Sequence, residues 1–329
     1  MYEKLRCRQL RRAYSAQGWA LAIYLVILYS VVNVYTICDS LILATVYALL
    51  GIEVDAVAMT ATVAGNTGWG YMIAGLVGLG LLLLWKEPEF CFKTIWKRGK
   101  PMKLGAFLAI LAIFTSAQLG GLLLSLALEF LLNLFGGSAS ETLESATLSM
   151  DSFPMFLYVG VGAPITEEII FRGMMLRSIQ PYGKKFAIFV SALIFGLYHA
   201  NIVQIPFAFM VGLVLGYVAV EYNIGWAIVL HMFNNLILND TMARLFNYLP
   251  APWNEWWFVI LIIGAALIGG IVLIAKRRKI KLWLRMNPDD KLCARAFWTA
   301  PGILVLVTML LILTLVSILT ILLAMIPIY

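Results

Sequence analysis

The chain has 329 residues, of which 62% are hydrophobic and only 12% charged, and its formal net charge is +7. Apolar runs of about 20 residues recur along its whole length, enough for a helix to cross ~30 Å of hydrocarbon, so the expected fold class is all-α: a polytopic transmembrane helical bundle of about 8–9 spans. The positive charges stand beside these runs, where they set topology and attract anionic headgroups; the partner they imply is the lipid bilayer and not nucleic acid.

In chain order the expected spans are 18–37, 66–85, 104–128, 153–175, 186–203, 205–221, 224–240, 256–275 and 301–327. The apolar stretch 40–50 is too short to cross alone, so it extends the first helix or lies at the interface. A basic N-terminal region runs into the first span with no small-residue cleavage site, so that span is expected to stay. Composition divides the chain into a region 1–150 with about three plain spans, a polar-bearing core at 151–242, and a region 243–329 that contains a basic loop. Within that loop, 276–298 alternates Lys or Arg with Ile, Leu and Trp, the pattern of a short amphipathic helix on the inner membrane surface or of a plain topology-setting loop. Trp256, Trp257 and Tyr329 are expected to anchor at the interface. Glu129 and Glu221 fall at span ends and are given no role.

Lysine and arginine accumulate in the cytoplasmic loops of membrane proteins. The N-terminal tail carries five, the segment 86–103 six, Arg177 with Lys184 and Lys185 three, and the segment 276–295 eight, which is 22 of the 24. The segments 38–65, 136–152 and 200–204 carry none, and 240–256 carries only Arg244. Basic and non-basic connections therefore alternate, which predicts a multi-pass integral membrane protein with its N-terminus in the cytoplasm and its C-terminus outside. On that topology Cys38 lies alone outside while Cys7, Cys91 and Cys293 face a reducing compartment, so no disulfide is expected.

The last positive charge, Arg172, lies inside a span with two adjacent acids, Glu167 and Glu168, in APITEEIIFRG. A charge at mid-bilayer costs ~2.5–3.5 kcal/mol on insertion scales and requires a partner or a wet cavity. Glu168 and Arg172 are spaced i, i+4 with the acid first, the favourable order for a helical ion pair. Glu167 lies about 100° further round the helix and is left without that partner. The two histidines of the chain fall in the following spans, His199 in FGLYHAN and His231 in HMFNN. Phe195 is four residues before His199 and Asn235 four after His231, so each pair shares a helical face. Counted at 1.5 Å per residue from the basic ends, Glu167 lies ~15 Å deep, His199 ~20 Å, His231 ~12 Å and Asn235 ~18 Å, which permits one layer.

Such a layer has the parts of a hydrolase. A glutamate held away from bulk water can take a proton from a water molecule and return it to a leaving amine. His199 could hold that water, and His231 with Asn235 could donate hydrogen bonds to a developing oxyanion. The sequence has no GxSxG, HExxH or phosphate loop. Taken singly, a membrane His or Asn is more often helix-packing glue, and a pair such as Glu168 with Arg172 is usually structural.

Read together, Glu167-Glu168-Ile-Ile-Phe-Arg172, Phe195-Gly-Leu-Tyr-His199 and His231-Met-Phe-Asn-Asn235 resemble the EExxxR, FxxxH and HxxxN motifs of the CAAX prenyl endopeptidase and bacteriocin-processing (CPBP, or Abi) family of intramembrane proteases. The resemblance covers about 150–240 and matches in order and spacing. It implies Glu167 as general base, His199 as a water ligand, His231 and Asn235 as the oxyanion hole, Glu168 and Arg172 as organisers of the site, and Phe195 as its lining. The implied substrate is a membrane-associated peptide or protein, reached through a wet cavity that opens to the inner leaflet or cytoplasm. A metal-free mechanism is favoured. The alternative is zinc held by Glu167, His199 and His231 from separate helices, for these residues lack the spacing of a single-helix zinc site. Two further readings remain: a proton-coupled carrier, against which stands the lack of an inverted repeat, and a peptide-binding immunity or scaffold protein without catalysis.

Overall fold

The computed structural model describes residues 2–53, 55–134, 150–202 and 204–324, and among them every regular element is a helix. The expected anchor Tyr329 and most of the segment 136–152 lie outside the described residues.

Helix α1, Tyr2–Leu50, has 49 residues with one internal glycine and no proline to interrupt it. At 1.5 Å per residue it is about 74 Å long, more than twice the hydrocarbon thickness, so its basic first turns project beyond the span. The stretch 40–50 is thus the end of this helix. It stops at Gly51, whose φ of +64° allows Gly51 N–H to reach Ala48 O and Ile52 N–H to reach Tyr47 O, the paired bonds of a Schellman cap. Helix α2, Ala56–Trp85, starts at Asp55, whose carboxylate caps Val57 N–H. Helix α3 is Leu104–Asn133.

Helix α4, Phe153–Tyr182, begins on Ser152, which caps Met155 N–H and also donates to Gly65 O of α2. Its course contains two wide π-helical stretches, Tyr158–Gly162 and Ile169–Leu176. Pro164, which has no backbone N–H to donate, lies two residues beyond the end of the first. Helix α5 is Lys184–Tyr198 and α6 is Gln204–Glu221. Helix α7, Ile224–Met232, runs on through a wide stretch Phe233–Thr241 to a last turn Met242–Phe246. Helix α8 is Trp253–Met286, α9 is Lys291–Trp298 and α10 is Pro301–Ala324.

Among the described residues, seven helices are long and apolar enough to cross a membrane. The two expected spans that fall short are 186–203 and 224–240. The first is the 15-residue α5, which ends before His199, and the second has only Ile224–Leu238 as its apolar stretch. At ~22 Å each, they fall short of ~30 Å of hydrocarbon. His231 lies in the second of these short elements, and His199 caps the C-terminal end of the first. A chain reversal at membrane depth is tolerated where it lines a cavity, and the turn after α5 includes Ala200 with a φ of +50°.

Large apolar side chains such as Leu76, Leu84, Leu267 and Ile271 stand exposed on the outer faces, as lipid-facing positions do. Inside, α1 packs on α2, α9 and α10, α5 on α6, and α3 on α6 and α8. At the α1–α10 crossing Gly18 lies against the backbone of Gly302, too close for a β-carbon.

The four basic segments meet at one end of the bundle. Arg6 pairs with Asp290 at 2.9 Å, Lys185 with Asp289 at 3.4 Å, and Arg177 donates to the carbonyls of Lys97 and Ala219. Glu221, given no role from sequence, is a node there: it accepts from Lys100, Lys184 and Trp283 Nε1. That hydrogen bond holds the Lys100 ammonium above the usual lysine range. The segment 276–298 does not form one surface helix. Residues 276–286 prolong α8, and the amphipathic piece is α9, whose Cys293, Ala296 and Phe297 turn into protein. Phe297 meets Tyr14 and Phe186 edge-on, and burial pushes the Cys293 thiol up to about 11. All four cysteines are free. Of the expected anchors, Trp256 is exposed while Trp257 stacks on Phe246 at 4.5 Å.

Candidate active site

The two adjacent acids of α4 meet different surroundings. Glu168 is fully buried, and its Oε1 accepts from Arg172 Nη1 at 2.7 Å and from His231 Nδ1 at 3.0 Å. The i, i+4 ion pair read from the sequence is present. The contact with His231, 63 residues away on α7, was not foreseen. The Arg172 guanidinium lies 4.2 Å from the centroid of the Phe195 ring and reaches Gly212 O at 3.4 Å. A β-carbon at Gly212 would lie 3.0 Å from Ala192 Cα of α5 and 3.1 Å from Arg172 Nη2, so glycine there lets both α5 and the arginine come close to α6.

Glu167, one residue earlier, faces a cavity of about 910 Å³. Its Oε2 stands 3.8 Å from His231 Nε2, beyond a direct hydrogen bond. His231 therefore has one nitrogen fastened to the structural acid and the other turned to the free one. Phe195 is the hub between the rings. It meets His199 edge-on at 4.9 Å and His231 at 5.7 Å, with Arg172 over its face. His199, at the C-terminal end of α5, uses Nδ1 on Phe195 O at 2.9 Å. In the neutral ring this bond places the proton on Nδ1 and leaves Nε2 as an acceptor. The same reasoning applies to His231, whose Nδ1 donates to Glu168.

Asn235 follows His231 at the start of the wide stretch of α7. Its Nδ2 donates to Val159 O at 2.7 Å, inside the first wide turn of α4. Its Oδ1 accepts from Asn234 Nδ2 at 3.0 Å, and Asn234 Oδ1 accepts from Gln118 Nε2 of α3 at 2.9 Å. The amide is thus fixed at both ends, with one N–H left over for a ligand. Such wide turns concentrate at functional sites, and here they occur in both helices that carry Glu167 and Asn235.

Glu167, Phe195, His199, His231 and Asn235 all line this one cavity, whereas Glu168 and Arg172 lie behind it. Several lining residues were not singled out from the sequence. Tyr29 of α1 and Tyr71 of α2 form a wall with Tyr158 and Tyr198, and Tyr71 stacks on Tyr158 at 4.8 Å. The first 150 residues thus help enclose the site. Asn234 had a visible signal, a second amide beside Asn235. The tyrosines had none, for aromatic residues are common throughout such chains.

The sequence led to the expectation of a mouth at the basic, cytoplasmic end, and the cavity has none of its exposed lining there. Of its exposed lining residues, Asp151, Arg244 and Asn247 are at the opposite end of the bundle and Tyr29 is midway along α1. Toward the basic end α4 is packed solid, with Ile170, Phe171, Met175, Leu176 and Ile179 each no more than 2% exposed. Among the described residues no three His, Cys, Asp or Glu side chains stand close enough together to hold a metal ion. Glu168 and His231 Nδ1 are already engaged with each other.

Residues 149–237 match the family model described as Type II CAAX prenyl endopeptidase Rce1-like. The match spans all three motifs and agrees with their resemblance to the CPBP family. No curated protein and no solved structure matches the chain.

Proposed function

We propose, on the premise of that Rce1-like segment, that the chain is an intramembrane endopeptidase that uses Glu167 to activate water. The observation that supports this reading most is the placement of Glu167 on the cavity, 3.8 Å from a His231 whose far side is fixed by Glu168. An acid kept out of the ion pair behind it, with a ring held beside it, is the arrangement a general base needs.

In this reading a water molecule lies between Glu167 and His199 Nε2, which accepts one of its hydrogen bonds. Its oxygen bonds to the scissile carbonyl carbon as Glu167 takes the proton and the carbonyl π pair moves onto oxygen. The remaining N–H of Asn235 donates to that oxyanion. His231 Nε2 joins it only when the ring carries both protons, because Nδ1 is committed to Glu168. When the tetrahedral carbon collapses, the C–N bond breaks and Glu167 returns the proton to the leaving amine. Arg172 and Glu168 act behind the site by holding His231 and Phe195 in place. The substrate is a membrane-associated peptide or protein segment.

The test is peptidase activity of the detergent-solubilised protein against a fluorogenic peptide library, beside Glu167→Gln, each with and without a zinc chelator. Cleavage lost in the variant and retained with chelator is the expected result. Loss on chelation with recovery on added zinc would replace the metal-free mechanism by zinc on Glu167, His199 and His231. Cleavage unchanged in Glu167→Gln would overturn the assignment of the base.

A further inference from the structure

We infer that the cleft receives its polypeptide from the extracytoplasmic side of the membrane, so that the substrate is an exported peptide or the outer-face portion of a membrane-anchored protein, not a cytoplasmic tail. The inference deepens the peptidase reading and rests on it for the word substrate, but the sidedness stands on three separate observations.

The first is charge. Of the 24 lysines and arginines, 22 lie in the four segments that meet at one end of the bundle, and their mutual contacts show that they form one end in space and not merely an alternation in sequence. Cytoplasmic connections carry such an excess. The second is the mouth. Of the exposed residues on the cavity, Asp151, Arg244 and Asn247 lie at the other end, where the Asp151 side chain is 80% exposed, and Tyr29 lies midway along α1; none lies at the basic end. The third is the floor. Between Glu167 and the basic end, α4 is buried from Ile170 to Arg177 and again at Ile179, with Phe171, Leu176 and Ile179 in the core shared with α5 and α6. A polypeptide in the cytoplasm would have to pass through that floor, whereas one outside meets an open cleft. The turn after α5, with His199 at its start, is on the open side as well.

The experiment has two arms. In a background with Cys7 and Cys38 replaced by serine, Asn247→Cys and Lys281→Cys are exposed to a membrane-impermeant maleimide in intact cells. Modification of Asn247→Cys without permeabilisation, and of Lys281→Cys only after it, is the expected result. The reverse pattern would overturn the inference whatever the activity. In the second arm an impermeant peptide already shown to be cleaved in detergent is added to sealed membrane vesicles of both orientations. Cleavage is expected with the extracytoplasmic face outward, and loss of cleavage with the cytoplasmic face outward until detergent opens the vesicles. Full cleavage in sealed vesicles with the cytoplasmic face outward would overturn the inference. If no peptide is cleaved even in detergent, the peptidase reading fails, and the labelling arm still decides which side the mouth faces.

Discussion

At the basic end, acids tie together segments remote in sequence: Glu221 holds Lys100, Lys184 and Trp283, Asp289 holds Lys185 and the N–H of Phe186, and Asp290 holds Arg6. At the opposite end Asn66 donates to Asp39, and Arg244 bridges Asp240 and Asp151 on the lining of a cleft that reaches down to Glu167. The same residue types serve both ends. What differs is their use: the basic end uses its carboxylates for closure, and the open end leads down to Glu167, which faces the cavity with its Oε2 3.8 Å from His231 Nε2. A site that needs water and a polypeptide at mid-membrane requires one sealed end and one open one, and the distribution of ties provides both.

The comparison is broken most directly at Glu167. Glu167→Gln keeps the shape and removes the proposed base, so on the peptidase reading activity is expected to fall by about 10²–10⁴-fold. Thermal unfolding in detergent should stay close to that of the unmodified protein, since this side chain carries none of the buried ion pairing. Glu168→Gln is the neighbouring control. It leaves the Arg172 guanidinium, which is fully buried, without its counter-charge and loosens His231. Removing one partner of a buried pair typically costs ~3–5 kcal/mol, so a lowered unfolding temperature should accompany the loss of activity. An unchanged unfolding temperature would mean that Phe195 and Gly212 O are enough to hold the arginine.

The sequence carried the three motifs because each is a spacing of four on one helix, and because the chain has only two histidines to place. The ion pair of Glu168 with Arg172 follows from the same spacing. The bond from Glu168 to His231 joins two helices 63 residues apart, and nothing local signals it. Charge counting gave the alternation of ends, but not which end the cavity would open from, since that depends on how side chains such as Phe171 and Leu176 pack in three dimensions. The span at 186–203 was drawn too long because no glycine or proline marks the end of α5. Its helix stops at Tyr198 and the chain turns at Ala200 in a left-handed conformation that composition does not announce. The wide turns in α4 and α7 are likewise invisible to a hydropathy window.

Glu221→Gln tests the closed end. The carboxylate is 5% exposed and has three partners, two of them on exposed lysines. Hydrogen bonds to a charged group are worth ~1.5–3 kcal/mol, and exposed ion pairs less, so a moderate drop in unfolding temperature is expected. The kcat of the folded fraction should not change. A fall in kcat at unchanged stability would show that the floor transmits to the site, and the division between a bracing end and a reacting end would then have to be given up.

The finest test lies between the two halves of the chain. Gln118 of α3 donates to Asn234, which donates to Asn235, so the amide offered to the oxyanion is oriented by a residue outside the motif-bearing core. Gln118→Leu keeps the size and removes the first link. Asn235 retains its bond to Val159 O, so the amide should be less firmly held but not displaced. The loss of one hydrogen bond, ~1 kcal/mol, corresponds to a decrease of about five- to tenfold. It should appear in kcat and leave KM unchanged, because the oxyanion exists only after attack. A merely structural role for Gln118 would lower the unfolding temperature without that division, and Gln118→Glu, which keeps an acceptor but loses the donor, should behave as the leucine variant does.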